Sequence, residues 1–284
     1  MLVFAPSKIN LYLRIVGKRD DGYHLLDTLM VPTSLGDDVE LLWGSAQEPS
    51  ITVTTEGIQV PAGPENLAYR AAQLFFEVLP AGAPKPLHIR LCKRIPVGAG
   101  LGGGSSDAAA TLVGLNSLTG AGLSEPALIS LAVRLGADVP FFVVGRSARA
   151  RGIGEQLSSV GHLPKLWLVL LYPSFEVSTG WVYRNFQFKL TKSPSNNNLL
   201  EHLSTTDEIA RVLLNELETV TIGRYPGIAR LKERLIEAGA LGSLMSGSGS
   251  SVFGIFATQD AARRAFALLE GDQDTHAYLV NSLT

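Results

Sequence analysis

Residues 96–109 read PVGAGLGGGSSDAA, the most informative segment of the chain, because it places five glycines and two serines between a strand-like run and an alanine-rich helix. Glycine tolerates positive φ and a close approach of the backbone to a ligand, so successive N–H groups can converge on an anion. The alanine- and leucine-rich segment after the loop predicts a helix whose first N–H groups and dipole favour negative charge at Ser105 and Ser106. The sequence therefore predicts a phosphate-binding loop.

Two other nucleotide-binding loops and a flexible linker fit the glycine-rich stretch less well. A Walker-type loop needs a lysine after the glycines, and none follows here. A dinucleotide-binding pattern can be placed on Gly98, Gly100 and Gly103, but the preceding LHIRLCKRIP alternates in charge rather than forming a buried parallel strand. A flexible linker would have polar, unstructured flanks, whereas both flanks of this stretch are strongly patterned. Asp107 suits the first turn of a helix but would repel phosphate, so we expect its side chain to face away.

Composition predicts a two-domain protein with small-molecule ligands. The 284 residues are 46% hydrophobic and 18% charged, which suits two moderate cores. The segment 161–165 is predicted to be the crossover, which gives domains at 1–162 and 163–284. The net charge of -2 offers no basic field for nucleic acid or a membrane surface. Cys92 is the single cysteine, the amino terminus lacks a signal-peptide pattern, and the apolar run at 166–172 is too short to cross a membrane. We expect a cytoplasmic chain that is a monomer or a weak homodimer.

Hydrophobic periodicity predicts an α+β order. Residues 3–16 alternate as a strand, with Ile9 and Leu11 on one face and Lys8 and Asn10 together on the other. Further strands are predicted at 28–33, 39–43, 51–55, 87–94, 141–144, 149–153 and 166–172, and helices at 65–79, after the glycine loop, at 125–135 with Gly136 as its C′ residue, and at 227–238. A strand, a helix and a strand close the chain, and the polar tract at 189–198 is predicted to be an exposed loop.

A second glycine-serine cluster, LMSGSGSS at 244–251, has two interpretations. It can be the turn of a hairpin before the strand VFGIFA. It can also be a second anion loop through Ser246 and Gly247, so that a phosphorylated ligand is held in a cleft between two domains.

Three segments, PSKINLYL at 6–13, PVGAGLGGGSSDAA and LMSGSGSS, resemble the three ordered motifs of the GHMP kinases. The resemblance spans the chain and implies an α+β, two-domain GHMP kinase fold with the active site in the interdomain cleft. Within the group, the segments at 17–30 and 135–155 are similar to those of members that use ATP to phosphorylate the 2-hydroxyl of a cytidine-diphosphate-linked methylerythritol, in the non-mevalonate route to isoprenoids.

The same resemblance assigns catalytic roles. Asp138 would accept the proton of the substrate hydroxyl, and Lys8 would keep that carboxylate ionised and offset charge on the reacting oxygens. Taken alone, Lys8 would be a solvated strand lysine and Asp138 a turn residue before Pro140. ATP with Mg²⁺ is the implied phosphoryl donor, and Ser106 is the expected protein ligand of the metal. The expected ATP-binding residues are Pro96, Val97, Gly98, Ala99, Gly100, Leu101, Gly102, Gly103, Gly104, Ser105 and Ser106.

Substrate recognition is predicted at a turn. Tyr23 can stack on a pyrimidine and His24 can hydrogen-bond a base edge, so together they suit cytosine. We call this pair of side chains the cytosine clamp. The resemblance adds Tyr183 and Thr179 from the C-terminal half. Asn10 is expected to orient the region of Lys8 or a substrate hydroxyl.

The sequence leaves two further functions open. One is another GHMP small-molecule kinase, acting on homoserine or mevalonate, which has no use for a cytosine clamp. The other is a catalytically silent nucleotide or sugar sensor on the same fold. The presence of both Lys8 and Asp138 argues against the sensor, which needs no proton acceptor.

Overall fold

The computed structural model describes residues 1–45, 50–79, 86–187 and 203–283. The strands are β1 (Leu2–Lys18), β2 (His24–Trp43), β3 (Ile51–Gly57), β4 (Leu87–Lys93), β5 (Ala148–Gly152), β6 (Gln156–Ser159), β7 (Trp167–Tyr172), β8 (Leu214–Asn215), β9 (Gly242–Met245), β10 (Val252–Phe256) and β11 (His276–Asn281). The helices are α1 (Leu67–Glu77), α2 (Gly103–Thr119), α3 (Glu125–Val133), α4 (Val139–Val144), α5 (Thr179–Asn185), α6 (Thr206–Val212), α7 (Glu218–Arg224), α8 (Gly227–Glu237) and α9 (Gln259–Leu269). The predicted α+β order is confirmed, and the predicted loop at 189–198 lies outside the described residues.

The chain divides into two compact units. The first unit consists of Met1–Ser7, Leu35–Val97 and Gly102–Gly145. The second unit consists of Lys8–Ser34, Gly98–Leu101 and the described residues from Arg146 onward. The boundary near residue 162 stays a prediction.

In the first unit, the second half of β2 pairs antiparallel with β4, Leu41 lying opposite Ile89, and β3 pairs parallel with β4. Helix α1 packs against α2, which also packs against α4. The strands predicted at 28–33 and 39–43 are one strand of 20 residues. A Cβ on Gly36 would lie 2.8 Å from the carbonyl oxygen of Ala5, so this glycine permits a close backbone approach inside β2 rather than ending the strand.

The strand predicted at 141–144 is wrong, because Val139–Val144 form α4. A short apolar run has no periodicity that separates a buried strand from a buried helix. Asp138 is the N-cap residue and Pro140 lies in the first turn, where the missing N–H of proline costs nothing. The prediction of Gly136 as C′ residue of α3 is also wrong, because that helix ends at Val133 with Arg134 as its C-cap.

In the second unit, four strands form an antiparallel sheet in the order β11-β7-β10-β9. Helices α8 and α9 pack on this sheet, and Leu231, Leu235 and Ala265 are buried with Val169 and Phe256 in one core. The closing order of strand, helix and strand is confirmed. Among the described residues, no helix is long and apolar enough to cross a membrane.

Candidate active site

The glycine loop adopts a conformation that requires glycine. Gly98, Gly100 and Gly102 have φ angles of 61°, 76° and 77°. Residues with side chains rarely adopt positive φ, whereas glycine does so readily. The prediction that this segment uses glycine for its backbone freedom is confirmed.

Four successive carbonyl groups of the loop, from Gly98 to Leu101, accept hydrogen bonds from other parts of the second unit. A carbonyl oxygen facing a phosphate would repel it, so tying these oxygens to protein donors keeps them from the ligand. The donors, in order, are the N–H of Val177 at 3.0 Å, the N–H of Ser251 at 3.1 Å, the hydroxyl of Ser246 at 2.9 Å and the N–H of Lys8 at 2.9 Å. These four hydrogen bonds fix the orientation of the loop backbone.

Helix α2 begins at Gly103, four residues before the alanine-rich segment that predicted it. Its N-cap, Gly102, has no side chain to bind the first N–H groups, which makes this helix start suitable for an anion. The side chain of Ser106 is buried, and its hydroxyl oxygen has no hydrogen-bond partner within the described residues. A buried hydroxyl without a partner is costly, so a ligand or metal contact would satisfy it.

A buried ion cluster holds both ends of the loop in the first unit. Lys93, at the end of β4, donates hydrogen bonds to Asp37 and, at 2.6 Å, to Asp107 of α2. Asp37 also accepts the N–H groups of Arg94 and Ile95, which lead into the loop. The helix residue Asp107 lies in the second turn rather than the first, and its carboxylate points to Lys93.

Burial and charge set the titration of this cluster. Burial raises the pKa of Asp107 to about 7, against the opposing effect of Lys93. Burial alone would lower the pKa of Lys93, but Asp107 and Asp37 outweigh it and raise that pKa. One ammonium beside two carboxylates carries a net negative charge when all three are ionised. The cluster therefore favours a proton on Asp107, because within the described part of the chain only Asp37 also accepts backbone N–H groups.

Lys8 lies on β1 in the second unit and is buried, with 4% of its surface exposed. The alternative of a solvated strand lysine is therefore wrong. Its ammonium donates to Oδ1 of Asn10 at 2.6 Å, and the amide nitrogen of Asn10 donates to the hydroxyl of Thr28 at 2.8 Å. The predicted proximity of Lys8 and Asn10 is confirmed.

Asp138 belongs to the first unit, where it is the half-buried N-cap residue of α4. Its φ and ψ of -85° and -15° direct the chain from the turn after α3 into the short apolar helix. The pairing of this carboxylate with Lys8 stays a prediction.

An aromatic group forms at the turn predicted to recognise cytosine. The ring of His24 lies 5.5 Å from that of Tyr183 and 6.1 Å from that of Phe186, measured between centroids. Burial, and then the charge of Lys18, lower the pKa of His24, so its ring is neutral at neutral pH and can both donate and accept a hydrogen bond. Tyr23 is 60% exposed, so its ring face is open to a ligand.

The segment at 246–251 is the turn of a hairpin, since Met245 of β9 pairs with Val252 of β10. It also lies beside the glycine loop, because the hydroxyl of Ser246 binds the carbonyl of Gly100. A Cβ on Gly247 would be 3.2 Å from the ammonium of Lys8. The interpretation as a hairpin turn is thus confirmed, while the second anion loop and the ligand contacts of Ser246 and Gly247 stay predictions.

Side chains from other segments hold this hairpin turn, and sequence reasoning missed Asn215 and this role of Thr179. The amide of Asn215, on β8, donates to the carbonyls of Met245 and Gly247 at 2.8 and 2.7 Å. Thr179 is hydrogen-bonded to the hydroxyl of Ser248 at 2.9 Å. Asn215 belongs to a two-residue strand with no pattern of its own, so only the folded chain shows its role.

Family models assign the fold and part of this site to a known class of kinases. The family model of the GHMP kinases N terminal domain matches residues 66–146, and that of the GHMP kinases C terminal domain matches residues 198–269. Together they cover more than half of the chain, including the glycine loop, Asp138 and the hairpin turn.

Curated relatives narrow the class. The chain is 44% identical over 281 residues to 4-diphosphocytidyl-2-C-methyl-D-erythritol kinase of Geobacter sp. (strain M21), covering 99% of this chain and 98% of the relative. It is 46% identical to the enzyme of the same name from Syntrophotalea carbinolica, covering 97% and 96% of the two chains. A crystal structure of 4-(cytidine 5'-diphospho)-2C-methyl-D-erythritol kinase matches with a TM-score of 0.81 at 40% identity over the full length of both chains. The chain belongs to this family of GHMP kinases.

Proposed function

We propose that this protein transfers the γ-phosphoryl group of ATP to the 2-hydroxyl of 4-diphosphocytidyl-2-C-methyl-D-erythritol, giving the 2-phosphate and ADP. The observation that carries the proposal is that Lys8 is buried on β1, where its backbone N–H also binds the carbonyl of Leu101 in the glycine loop. The full-length similarity to relatives of that name supports the choice of substrate.

Phosphoryl transfer asks the protein mainly to align groups and to stabilise charge on the phosphoryl oxygens. The glycine loop, with its carbonyls bound elsewhere, and the uncapped start of α2 supply N–H donors for the phosphates. Lys8 supplies positive charge on a side chain held by Asn10. Asp138 accepts the proton of the 2-hydroxyl as the bond from oxygen to phosphorus forms, because a carboxylate is too weak a base to remove it beforehand.

The residues present fit Mg²⁺ bound through the nucleotide. When bound, Mg²⁺ neutralises charge on the β- and γ-phosphates. No cluster of three or more His, Cys, Asp or Glu side chains suited to a metal occurs in the described part of the chain. Mg²⁺ commonly keeps several waters and binds through substrate phosphates with few protein ligands. The hydroxyl of Ser106, which has no hydrogen-bond partner among the described residues, is the protein oxygen that would complete such a site.

An ADP-release assay on the purified protein tests the proposal. With ATP and Mg²⁺, we expect turnover with 4-diphosphocytidyl-2-C-methyl-D-erythritol and none with mevalonate or homoserine. Turnover with mevalonate or homoserine instead would support another GHMP kinase activity. Absence of turnover with all three alcohols would support the sensor.

The Tyr23→Ala variant tests the cytosine clamp. A ring stacked on a base contributes about 1–3 kcal/mol, so KM for the cytidine substrate should rise by about 5- to 150-fold with kcat much less affected. Since Tyr23 is 60% exposed, its removal should leave the fold intact. Tyr23→Phe is the matched control because it keeps the ring and should keep the parent KM. An unchanged KM in Tyr23→Ala would contradict the clamp.

A further inference from the structure

We propose that Thr28 is a positioning residue that fixes the amide of Asn10 so that its oxygen, and not its nitrogen, faces the ammonium of Lys8. This inference rests on the proposed function, because it concerns the lysine that acts there. Thr28 lies on β2, and Lys8 and Asn10 lie on β1 of the same unit.

The direction of each hydrogen bond follows from one fixed acceptor. The carbonyl oxygen of Tyr12 can only accept, and the hydroxyl of Thr28 lies 2.6 Å from it. A hydroxyl has a single hydrogen, which is therefore used on Tyr12, so its oxygen can only accept from its other partner. That partner, 2.8 Å away, must be the NH₂ group of Asn10.

The orientation of the amide then decides what Lys8 meets. With its nitrogen on Thr28, Asn10 presents its oxygen to the ammonium of Lys8 at 2.6 Å. The reversed amide would place an NH₂ donor against an ammonium donor. The oxygen and nitrogen of an amide are nearly equal in size, so only the hydrogen-bond network distinguishes the two orientations. Without the hydroxyl of Thr28, the NH₂ group of Asn10 loses its acceptor, and only the ammonium of Lys8 itself favours the productive orientation of the amide.

The position of Thr28 itself is well fixed. Thr28 is opposite Ala150 in the antiparallel pairing of β2 with β5. The neighbouring Asp27 receives two hydrogen bonds from the guanidinium of Arg149, at 2.6 and 2.5 Å, and this ion pair is buried. A bidentate pair of this kind fixes geometry as well as charge. Thr28 and Asn10 are each 2% exposed. In a variant that lacks the hydroxyl of Thr28, water therefore does not readily bind the NH₂ group of Asn10 in its place.

The hydroxyl of Thr28 is occupied by Tyr12 and Asn10, so Thr28 acts through Asn10 rather than on the substrate. Lys8 carries a long side chain with about 2 kcal/mol of rotamer entropy, and the contact with Asn10 limits the positions of its ammonium. The expected effect of losing the network is therefore a misplaced Lys8 with an intact nucleotide loop.

Thr28→Val removes the hydroxyl at nearly constant volume. We expect kcat to fall by about tenfold or more while KM for ATP stays within about twofold. Thr28→Ser, which keeps the hydroxyl, should restore most of kcat. In an Asn10→Ala background, Thr28→Val should have little further effect on kcat, because both changes act on the same contact.

Additive losses in the double variant would overturn the proposal, and so would a parental kcat in Thr28→Val. If Thr28→Val does not fold, Thr28→Cys replaces it, since a thiol has similar size but donates and accepts weakly; a parental kcat in Thr28→Cys would equally overturn the proposal. Turnover of the parent in the same assay tests the proposed function separately. An inactive parent overturns both, whereas an active parent with an equally active Thr28→Val overturns the role of Thr28 alone.

Discussion

Asp138→Asn is expected to lower kcat by about 100-fold or more while the affinity for ATP stays nearly unchanged. The amide has nearly the shape of the carboxylate but cannot take the proton of the substrate hydroxyl. The side chain of Asp138 makes no capping hydrogen bond, so the change to an amide should leave the start of α4 and its packing on α2 in place. Single-turnover kinetics and an ATP titration on the same variant separate the chemical step from nucleotide binding.

Asp260→Asn provides a control for the loss of a carboxylate at a helix start. Asp260 lies in the first turn of α9, is exposed and has no part in the proposed site. We expect it to keep the parental kcat and to lose only a few tenths of a kcal/mol of helix stabilisation. If Asp138→Asn lost ATP affinity and kcat in equal measure, its role as the proton acceptor would be contradicted.

The parts of the fold that the sequence predicted are those with a strong local signal. Ile9 and Leu11 of β1 alternate with polar residues, and both are fully buried as expected. The glycine loop was recognisable because three of its residues need positive φ, which glycine adopts most readily. The nature of α4 could not be predicted, because six apolar residues fit a buried strand and a buried helix equally well.

The parts of the site that the sequence did not predict depend on contacts far apart in the chain. Asp37 and Lys93 are 56 residues apart, and nothing in either segment indicates that they meet. Thr28 follows the turn that drew attention to Tyr23 and His24, yet its role is visible only beside Asn10 on a neighbouring strand. Alternation placed Lys8 on the polar face of β1, but the burial of that face comes from other segments of the fold.

Gly100→Ala is expected to disrupt the nucleotide loop. A Cβ at this position would lie 2.1 Å from the carbonyl oxygen of Ser246 and 3.0 Å from the backbone nitrogen of Gly249. Both are backbone atoms, so the hairpin turn has to move, and φ at +76° adds strain for any residue with a side chain. Strain and overpacking together should reduce the free energy of unfolding by about 2–5 kcal/mol. Because a misplacement of about 1 Å can cost about 100-fold, kcat/KM for ATP should fall by about that factor.

Gly239→Ala separates the effect of backbone strain from the effect of overpacking. Gly239 has a φ of +94°, but a Cβ there would meet no heavy atom within 4 Å. It should therefore show the strain alone, about 1–2 kcal/mol of lost stability, with parental kcat/KM for ATP. Denaturant unfolding gives the stability of both variants, and ADP release at varied ATP gives kcat/KM. If Gly100→Ala lost no more than Gly239→Ala in both measurements, the contact between the glycine loop and the hairpin turn would not be what orients the phosphate-binding backbone.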